Sequence, residues 1–443
     1  MKVLLVGNGG REHALARAMV RTSDDVELLV QAGNPGLDEL GVPHRFNPLD
    51  PVAVCALAAD EAVDLVVVGP EAPLVAGVAD AVTDAGIPCF GPTQAAAQLE
   101  ASKSFAKDVM EAAAVATARA FTCTTLEQVD AALDELGAPH VVKDDALAAG
   151  KGVVVTEDRQ AARDHAAACL ARPDGAVVIE DYLDGPEVSL FCLSDGANVV
   201  PLVPAQDFKR LLDANEGPNT GGMGAYTPLP WLPEGVVEHV VDTVALPTVA
   251  EMARRGTPFV GLLYCGLALT SRGVRVVEFN ARFGDPETQA VLERLDSPLV
   301  DLLYGAATGT LDEVPAPRWS ADAAVCVVMA SAGYPGTLRT GETITGIEDA
   351  EALEGVHVIH AGTTLIPAQP DPKGAGNCCG VEPEDTLVNS GGRVLNVVGR
   401  GSTVEVAREA AYAAVARIRF SGEQHRSDIA TWPGDILADH WRP

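Results

Sequence analysis

Short apolar runs that end at glycine or at a polar residue recur along the chain. The first, Lys2 to Val6, predicts a buried strand that leads through a glycine turn into a helix from Ala14 to Val20. Asp64 to Gly69 and Ile87 to Gly91 repeat the pattern of a strand followed by glycine. In a doubly wound α/β sheet, ligands gather at the carboxyl ends of the strands. We therefore expect these turns to line one pocket at one edge of a sheet.

A later apolar run, Val274 to Phe279, contains one charged residue, Glu278, and is followed by Asn280. Together with the run from Phe259 to Thr270 it predicts a β-hairpin. Strand residues two apart point to the same face, so the two polar side chains should stand about 6–7 Å apart at their bases. A carboxylate beside an amide oxygen suits Mg²⁺. The alternative is an edge strand whose polar side chains only face solvent, but the Gly-Asp-Pro turn that follows favours a metal site.

Two segments in the middle of the chain are rich in small residues. His140 to Val155 predicts two strands that flank a loop, where Lys143 can touch phosphate oxygens while Gly150 and Gly152 let the backbone close over them. Gly217 to Gly224 has glycine at half of its positions and no hydrophobic period, so we expect no regular element there. A long glycine loop inside a compact domain is usually functional or disordered.

The last third of the chain is β-rich. Ala323 to Ala330, Val356 to Thr364 and Gly391 to Val398 predict strands that precede a closing helix. Residues 366–387 are rich in proline and glycine and predict an inserted surface loop. The length of 443 residues suits about three domains, each with its own core.

The charge of the chain is strongly negative, −31, from 62 acidic and 31 basic residues. Lysine is scarce, and four of the few lysines fall inside the motifs, namely Lys103, Lys143, Lys151 and Lys209. A surface covered with carboxylates repels DNA, RNA and anionic membranes, so we expect none of these as partners. We interpret the charge as adaptation to a high-salt cytoplasm, where screening acts over a few ångströms.

Cysteine usage and hydropathy indicate a cytoplasmic protein. The nine cysteines include no Cys-x-x-Cys pair, which argues against a zinc site and a disulfide framework. The N-terminus enters a strand directly and does not resemble a signal peptide. The uncharged apolar run from Phe259 to Ser271 is too short to span a bilayer.

The string from Val277 to Glu287, Val-Glu-Phe-Asn-Ala-Arg-Phe-Gly-Asp-Pro-Glu, closely resembles the metal-binding signature of the phosphoribosylamine–glycine ligase family, whose fold is ATP-grasp. Further matches follow the family order and cover essentially the whole chain: Gly7 to His13, Gln98 to Phe105, Ala176 to Leu190 and Gly217 to Tyr226. The resemblance implies an α/β protein with a doubly wound (Rossmann-like) domain at residues 1–103, an ATP-grasp domain at 104–322 with a mobile lid near 120–190, and a small β-rich domain at 323–443.

The family resemblance also implies an activity. Such enzymes use ATP and Mg²⁺ or Mn²⁺ to join glycine to 5-phosphoribosylamine through a glycyl phosphate, and they release glycinamide ribonucleotide, ADP and phosphate. We expect a cytoplasmic monomer whose partners are these small molecules. Two alternatives are another ATP-grasp carboxylate–amine ligase and a non-catalytic nucleotide sensor. A dehydrogenase is disfavoured, since Glu12 stands where a dinucleotide fingerprint has glycine.

Site residues follow from the same resemblance. The predicted metal ligands are Glu278 and Asn280. The predicted ATP contacts are Lys103, Lys143, Gly150, Lys151, Gly152, Glu180, Leu183 and Glu187. The predicted substrate contacts are Gly9, Gly10, Glu71, Thr93, Gly222, Met223, Gly224 and Asp285. The predicted catalytic residues are Asp207, Lys209, Arg210 and Arg282, whose cations would neutralise the charge that develops on the transferred group.

The chain departs from the family pattern at two places. It has Lys143-Asp-Asp-Ala146 where the family has Lys-Ala-Asp-Gly, so an alanine restricts φ in the phosphate loop and Asp144 adds a negative charge near phosphate. Phe208 stands where the family usually has histidine, so no imidazole can act there. The first departure is what motivates the sensor alternative.

Overall fold

The computed structural model describes residues 1–146, 152–368 and 385–431. Two predicted ATP contacts, Gly150 and Lys151, and most of the predicted insertion at 366–387 lie outside these residues. Within the described part of the chain, no helix is long and apolar enough to cross a membrane.

The first part of the chain is a parallel sheet covered by helices, as predicted. Its strands are ordered β3-β2-β1-β4-β5. The inner strands are apolar on both faces because helices pack on both sides. The strands are β1 Lys2–Val6, β2 Glu27–Gln31, β3 Val42–His44, β4 Leu65–Val68 and β5 Cys89–Phe90. The helices are α1 Gly10–Thr22, α2 Pro35–Asp38, α3 Pro51–Asp60, α4 Glu71–Val75, α5 Val78–Asp84, α6 Gln98–Ala101 and α7 Lys103–Ala112.

Helix α1 begins earlier than the predicted Ala14. The backbone N–H of Gly9 donates to the Glu12 carboxylate at 2.7 Å, so the acid caps the first turn of the helix from within. Glu12 also fills the space beside two glycines, since a Cβ on Gly69 would lie 2.2 Å from its Oε1. The acid that breaks the dinucleotide fingerprint is therefore part of the turn itself.

The second part is an antiparallel sheet ordered β6-β9-β7-β8, with helices on one face. Thr125 and Asp158 cap the two helices with their side chains, which fixes where each helix begins. The strands are β6 Ala120–Cys123, β7 His140–Asp144, β8 Val153–Thr156 and β9 Val177–Glu180. The helices are α8 Leu126–Leu136 and α9 Arg159–Leu170. This layer covers the segment predicted to be the lid.

The third part is built on a four-stranded sheet ordered β11-β10-β16-β17. The strands of this part are β10 Glu187–Asp195, β11 Val199–Pro201, β12 Gln206–Asp207, β13 Arg210–Leu212, β14 Glu216–Asn219, β15 Gly224–Thr227, β16 Val260–Thr270 and β17 Gly273–Asn280. The helices are α10 Val236–Val240, α11 Leu246–Arg254, α12 Glu287–Glu293 and α13 Leu299–Thr308, and a π-helical turn at Val241–Ala245 joins the first two. The predicted hairpin of β16 and β17 is confirmed.

The last part contains β18 Ala323–Ala330, β19 Val356–His360, β20 Thr363–Ile366, β21 Thr386–Asn389 and β22 Arg393–Gly401. Its helices are α14 Ile347–Glu351 and α15 Val404–Val415. The main sheet is ordered β12-β15-β18-β22-β19, so two of its strands come from the third part of the chain. Apolar residues of both parts, such as Leu190, Val276, Val327 and Val397, belong to one continuous core.

The prediction that the glycine-rich stretch forms no regular element was wrong. Glu216–Asn219 pairs with β13, and Gly224–Thr227 pairs with β18. Backbone pairing needs no hydrophobic period, and the absence of a side chain at Gly224 is what lets the two strands approach. A Cβ there would lie 2.7 Å from the carbonyl oxygen of Cys326.

Candidate active site

Glu278 is the electrostatic centre of the candidate site. It is partly buried on β17, opposite Gly266 of β16. Burial raises the pKa of its carboxyl, but four surrounding cations outweigh burial and lower that pKa below its ordinary value. These cations are Lys209, Lys143, Lys103 and Arg282. Four residues predicted from separate motifs therefore converge on the predicted metal ligand.

A bulge in β17 shapes this centre. Gly266 pairs with Glu278 and Leu267 pairs with Val276, so Val277 is an extra residue in the ladder. Its carbonyl oxygen accepts a hydrogen bond from the Lys143 ammonium at 2.8 Å. The bulge thus ties β7, a strand of the predicted lid, to the strand that carries Glu278.

A second anchor for the lid is the Glu180 carboxylate at the end of β9. It pairs with Lys143 at 2.8 Å and with Lys107 at 3.1 Å. Burial lowers the pKa of Lys107, and the charge of Lys143 lowers it further. The Glu180 carboxylate acts in the opposite direction but does not outweigh them. The side chain of Glu180, one of the predicted ATP contacts, is thus engaged by two lysines here.

Arg282 joins the Gly-Asp-Pro turn to the first domain. It donates to Glu71 at 3.2 Å, lies 2.9 Å from a Glu100 oxygen, and donates to the Asn280 amide oxygen at 3.5 Å. Burial raises the pKa of Glu71, but Arg282 and Arg11 outweigh it and lower that pKa to about 2. Burial raises the pKa of Glu100 despite Arg282. The Arg282 guanidinium therefore lies between two carboxylates and contacts the amide oxygen of Asn280.

Asp207 ends β12, and Lys209 lies in the connection between β12 and β13. Lys209 forms an ion pair with Glu187, and its pKa is raised because the nearby carboxylates outweigh burial. Burial raises the pKa of Asp207 to about 7, and the charges of Glu287 and Glu187 add to this shift while Lys209 opposes it. Asp207 is thus poised to exchange a proton near neutral pH.

Glu287 belongs to a buried hydrogen-bonded group behind Asp207. The Tyr264 hydroxyl lies 2.7 Å from a Glu287 carboxylate oxygen and 2.6 Å from the Ser189 hydroxyl. Burial, and next the Glu287 charge, raise the pKa of Tyr264, so the phenol stays protonated and donates to the carboxylate.

The glycine loop packs on the turn that follows β17. Gly222 has φ +110°, and a Cβ on it would lie 2.4 Å from Cδ of Pro286. Arg393 of β22 donates to the carbonyl oxygens of both Gly221 and Asp285 at 2.6 Å and lies 3.2 Å from the Asp285 carboxylate. Only a glycine fits at Gly222, and Arg393 fixes the loop against the turn.

Several other predicted substrate contacts are buried or already hydrogen-bonded within the chain. Met223 is fully buried and Gly224 lies inside β15, so neither presents a side chain to the cleft. The Gly9 N–H is already donated to Glu12, and a Cβ on Gly10 would lie 2.5 Å from the Asn396 amide nitrogen of β22. The Thr93 hydroxyl accepts from the backbone of Ala96. The Gly9 N–H is therefore engaged within the chain, whereas the Thr93 hydroxyl keeps its own O–H to donate.

Asp144 and Arg210 each have a partner within the chain. Asp144 pairs with Arg172, and strand alternation sends its side chain to the face opposite Lys143, so its charge is balanced by an arginine. Arg210 donates to the carbonyl oxygen of Gly217 at 2.8 Å, within its own hairpin. Gly152 takes part in the pairing of β7 with β8, since its carbonyl oxygen accepts a hydrogen bond from the Asp144 N–H at 2.8 Å.

The donor set at Glu278 and Asn280 fits a divalent cation that is completed by phosphates. The lowered pKa of Glu278 keeps its carboxylate ionised, and the contact from Arg282 identifies the oxygen of the Asn280 amide. In the described parts of the chain, no group of three or more His, Cys, Asp or Glu side chains could hold a metal alone. Such a pair suits a hard cation that takes few protein ligands.

Several residues at the site were not singled out by the sequence analysis. Lys107, Glu100, Tyr264 and Arg393 hold the predicted residues in place. The scarcity of lysine could have identified Lys107, which is one of the few lysines outside the motifs. Glu100 lies within the Gln98 to Phe105 match but was assigned no role there. Tyr264 and Arg393 carried no local signal, because each acts on a partner that is distant in sequence.

The fold and the cation-lined centre between lid and core sheet define an ATP-grasp protein. A biotin carboxylase from Campylobacter jejuni has this fold, with a TM-score of 0.69 and 15% identity over 96% of this chain and 92% of that chain. Models of the N domain, the ATP-grasp (A) domain and the C domain of phosphoribosylglycinamide synthetase match residues 1–100, 101–288 and 324–432. The chain belongs to the phosphoribosylglycinamide synthetase family.

Individual relatives agree with this family. A phosphoribosylamine–glycine ligase from Streptomyces coelicolor is 58% identical over 432 residues, which are 97% of this chain and 99% of that protein. The crystal structure of a phosphoribosylamine–glycine ligase from Thermotoga maritima has a TM-score of 0.81 and 29% identity, over 97% of this chain and 100% of that chain. The match therefore extends over all four parts of the fold.

Proposed function

We propose that the chain is an ATP-dependent ligase that joins glycine to 5-phosphoribosylamine through a glycyl phosphate, with release of glycinamide ribonucleotide, ADP and phosphate. The observation that carries the proposal is the convergence of Lys103, Lys143, Lys209 and Arg282 on Glu278. The full-length likeness to proteins named phosphoribosylamine–glycine ligase supports the choice of substrates.

The proposed mechanism asks the chain mainly for positioning and charge. Glu278 and Asn280 would hold Mg²⁺ or Mn²⁺, which supplies Lewis-acid stabilisation of the transferred phosphoryl group. Lys143 reaches this centre from β7, Lys209 reaches it from the connection between β12 and β13, and Arg282 reaches it from the turn after β17. Their charges neutralise the phosphates, so the glycine carboxylate can approach the terminal phosphate.

Asp207 is proposed to accept the proton that the attacking amine loses when the amide forms. Its raised pKa of about 7 places it between the acid and base forms at neutral pH. The neighbouring charge of Lys209 opposes that shift and favours the ionised form. A proton acceptor beside the phosphoryl-transfer centre fits the second half of the reaction.

We propose a cytoplasmic monomer that uses small molecules only. The seven cysteines that lie in the described residues are free thiols, which suits a reducing compartment. The charge of −31 makes copies of the chain repel one another and repel nucleic acid. Light scattering after size exclusion tests the monomer, and a dimer mass in molar salt would exclude it.

Two alternatives are separated by one assay. Another ATP-grasp carboxylate–amine ligase would release ADP with a different amino acid or amine, and a nucleotide sensor would release none. The pairing of Asp144 with Arg172 removes the main reason for the sensor. ADP release is measured with each substrate omitted in turn and with glycine exchanged for other amino acids.

The position of an oxygen label tests the proposed route. If the terminal phosphoryl group moves to the glycine carboxylate before the amine attacks, the bridging oxygen leaves with phosphate. Glycine labelled with oxygen-18 in its carboxylate should therefore give phosphate that carries one labelled oxygen per turnover. Unlabelled phosphate would show that ATP is cleaved by another route.

A further inference from the structure

A short C-terminal segment, Arg426 to Asp428, is hydrogen-bonded to the tip of the β13–β14 hairpin. The Ser427 N–H donates to the Asp213 carboxylate at 2.8 Å, and the Ser427 hydroxyl bonds the same carboxylate. The Asp428 carboxylate accepts from the Ala214 N–H at 2.8 Å. These contacts join positions that are 214 residues apart in sequence.

Arg426 is the centre of this contact, and its side chain is only 1% exposed. Its guanidinium donates to both Asp428 carboxylate oxygens at 2.7 Å. It also donates to the Asn215 amide oxygen at 2.9 Å and to the Arg210 carbonyl oxygen at 3.2 Å. Such a bidentate pair holds the planar guanidinium in one orientation.

The hairpin tip has a conformation that needs support. Ala214 and Asn215 both have φ of 56°, in the left-handed region that costs free energy for residues with a Cβ. Each of the two accepts or donates one of the hydrogen bonds to the C-terminal segment. The segment therefore stabilises a tip that local sequence does not favour.

The same guanidinium also acts on the residue next to Lys209. Its carbon lies 4.9 Å from the centre of the Phe208 ring, at the position where the family usually has histidine. On the other side, the Lys209 carbonyl oxygen accepts from the Thr220 N–H at 2.8 Å, and the Phe208 N–H donates to the Gly224 carbonyl oxygen at 2.9 Å. Lys209 is thus held between the glycine loop and the C-terminal segment.

We propose that Arg426 is a positioning residue for Lys209. It fixes the backbone on both sides of Lys209, at Phe208 through the ring and at Arg210 through the carbonyl oxygen, so that the ammonium keeps its position beside Glu187. This inference rests on the proposed function, in which Lys209 neutralises the transferred phosphoryl group. A displacement of about 1 Å of such a group costs up to about a hundredfold in rate.

The test compares variants of the full chain for glycine-dependent ADP release. Arg426→Ala should lower kcat by about tenfold or more while KM for ATP changes by less than about threefold, because Lys209 would act mainly on the transferred group. Arg426→Lys should recover part of the rate, since it keeps the charge over Phe208 but loses the fork. Arg417→Ala, an exposed arginine of the same domain that donates to Asp349, serves as the matched control.

Amide hydrogen exchange separates positioning from general stability. In Arg426→Ala, exchange should accelerate at residues 210–219 and stay unchanged in β1 and β18. If that variant does not fold, Asp428→Asn, which weakens the same contact at a partly exposed position, replaces it. A kcat within twofold of wild type, or acceleration of exchange throughout the chain in proportion to the lost activity, would overturn the proposal. A wild-type chain without glycine-dependent ADP release would refute the proposed function instead.

Discussion

Replacement of Glu278 by glutamine tests the centre of the site most directly. The amide has nearly the same volume as the carboxylate, so β17 and its bulge should keep their packing. The change removes the only anionic member of the predicted metal pair. It also leaves the charges of Lys143, Lys209 and Arg282 facing a neutral group.

The size of the effect follows from the role of the metal. Charge stabilisation by a bound divalent cation contributes several kcal/mol to phosphoryl transfer. Loss of about 3–4 kcal/mol of it would slow turnover by about a hundredfold to a thousandfold, at about 1.4 kcal/mol per factor of ten. The fold should persist, because Lys209 keeps its ion pair with Glu187 and Arg282 keeps its contacts with Glu71 and Glu100.

A pH measurement adds an independent readout. The folded-state pKa of Glu278 is lowered, so its carboxylate contributes stability above its unfolded pKa of about 4.5, and that stability is lost as pH falls through the folded pKa. Glu278→Gln should therefore have a slightly lower Tm at pH 7. Its difference from wild type should shrink in acid.

The assay is ADP release as a function of Mg²⁺ concentration. We expect a lower kcat and a higher Mg²⁺ requirement, with binding of metal-free ATP little changed. Glu251→Gln is the control, since Glu251 of helix α11 is an acid with little exposure that pairs with Arg254 and Arg255. Turnover within twofold of wild type at saturating Mg²⁺ would remove Glu278 from the metal site.

Three further predictions address the lid, the acid group and the surface. Ala146→Gly should not weaken ATP binding, since the loop gains φ freedom; a large loss of affinity by calorimetry would contradict a closing phosphate loop. For Asp207, kcat should rise with pH through an apparent pKa near 7, and Asp207→Asn should lose that limb; an unchanged profile would exclude it as proton acceptor. Because the folded pKa of Asp207 lies above its ordinary 3.8, its contribution to stability should fall as pH rises from about 4 to about 7, which urea unfolding of wild type and Asp207→Asn can measure. Molar KCl should raise Tm by screening the charge of −31, and an unchanged or lower Tm would reject the high-salt hypothesis.

The sequence by itself determined the local elements and the chemistry at their ends. The run from Val274 to Asn280 predicted a hairpin strand with two oxygen donors, and the strand is there. The sequence also predicted β1, β4 and the glycine turns that follow them. These features depend on hydrophobic period and turn residues within a few positions, so neighbours along the chain suffice to specify them.

Tertiary structure decided how these pieces meet. The glycine-rich stretch became β14 and β15 only because partner strands lie beside it, and β18 comes about 100 residues later. Asp144 and Glu12 looked like obstacles in the sequence, but Arg172 neutralises the first and the Gly9 N–H engages the second. Burying a charge costs free energy unless an opposite charge or a hydrogen-bond partner lies nearby. Which partner lies nearby depends on how the whole chain packs, and the local sequence does not specify it.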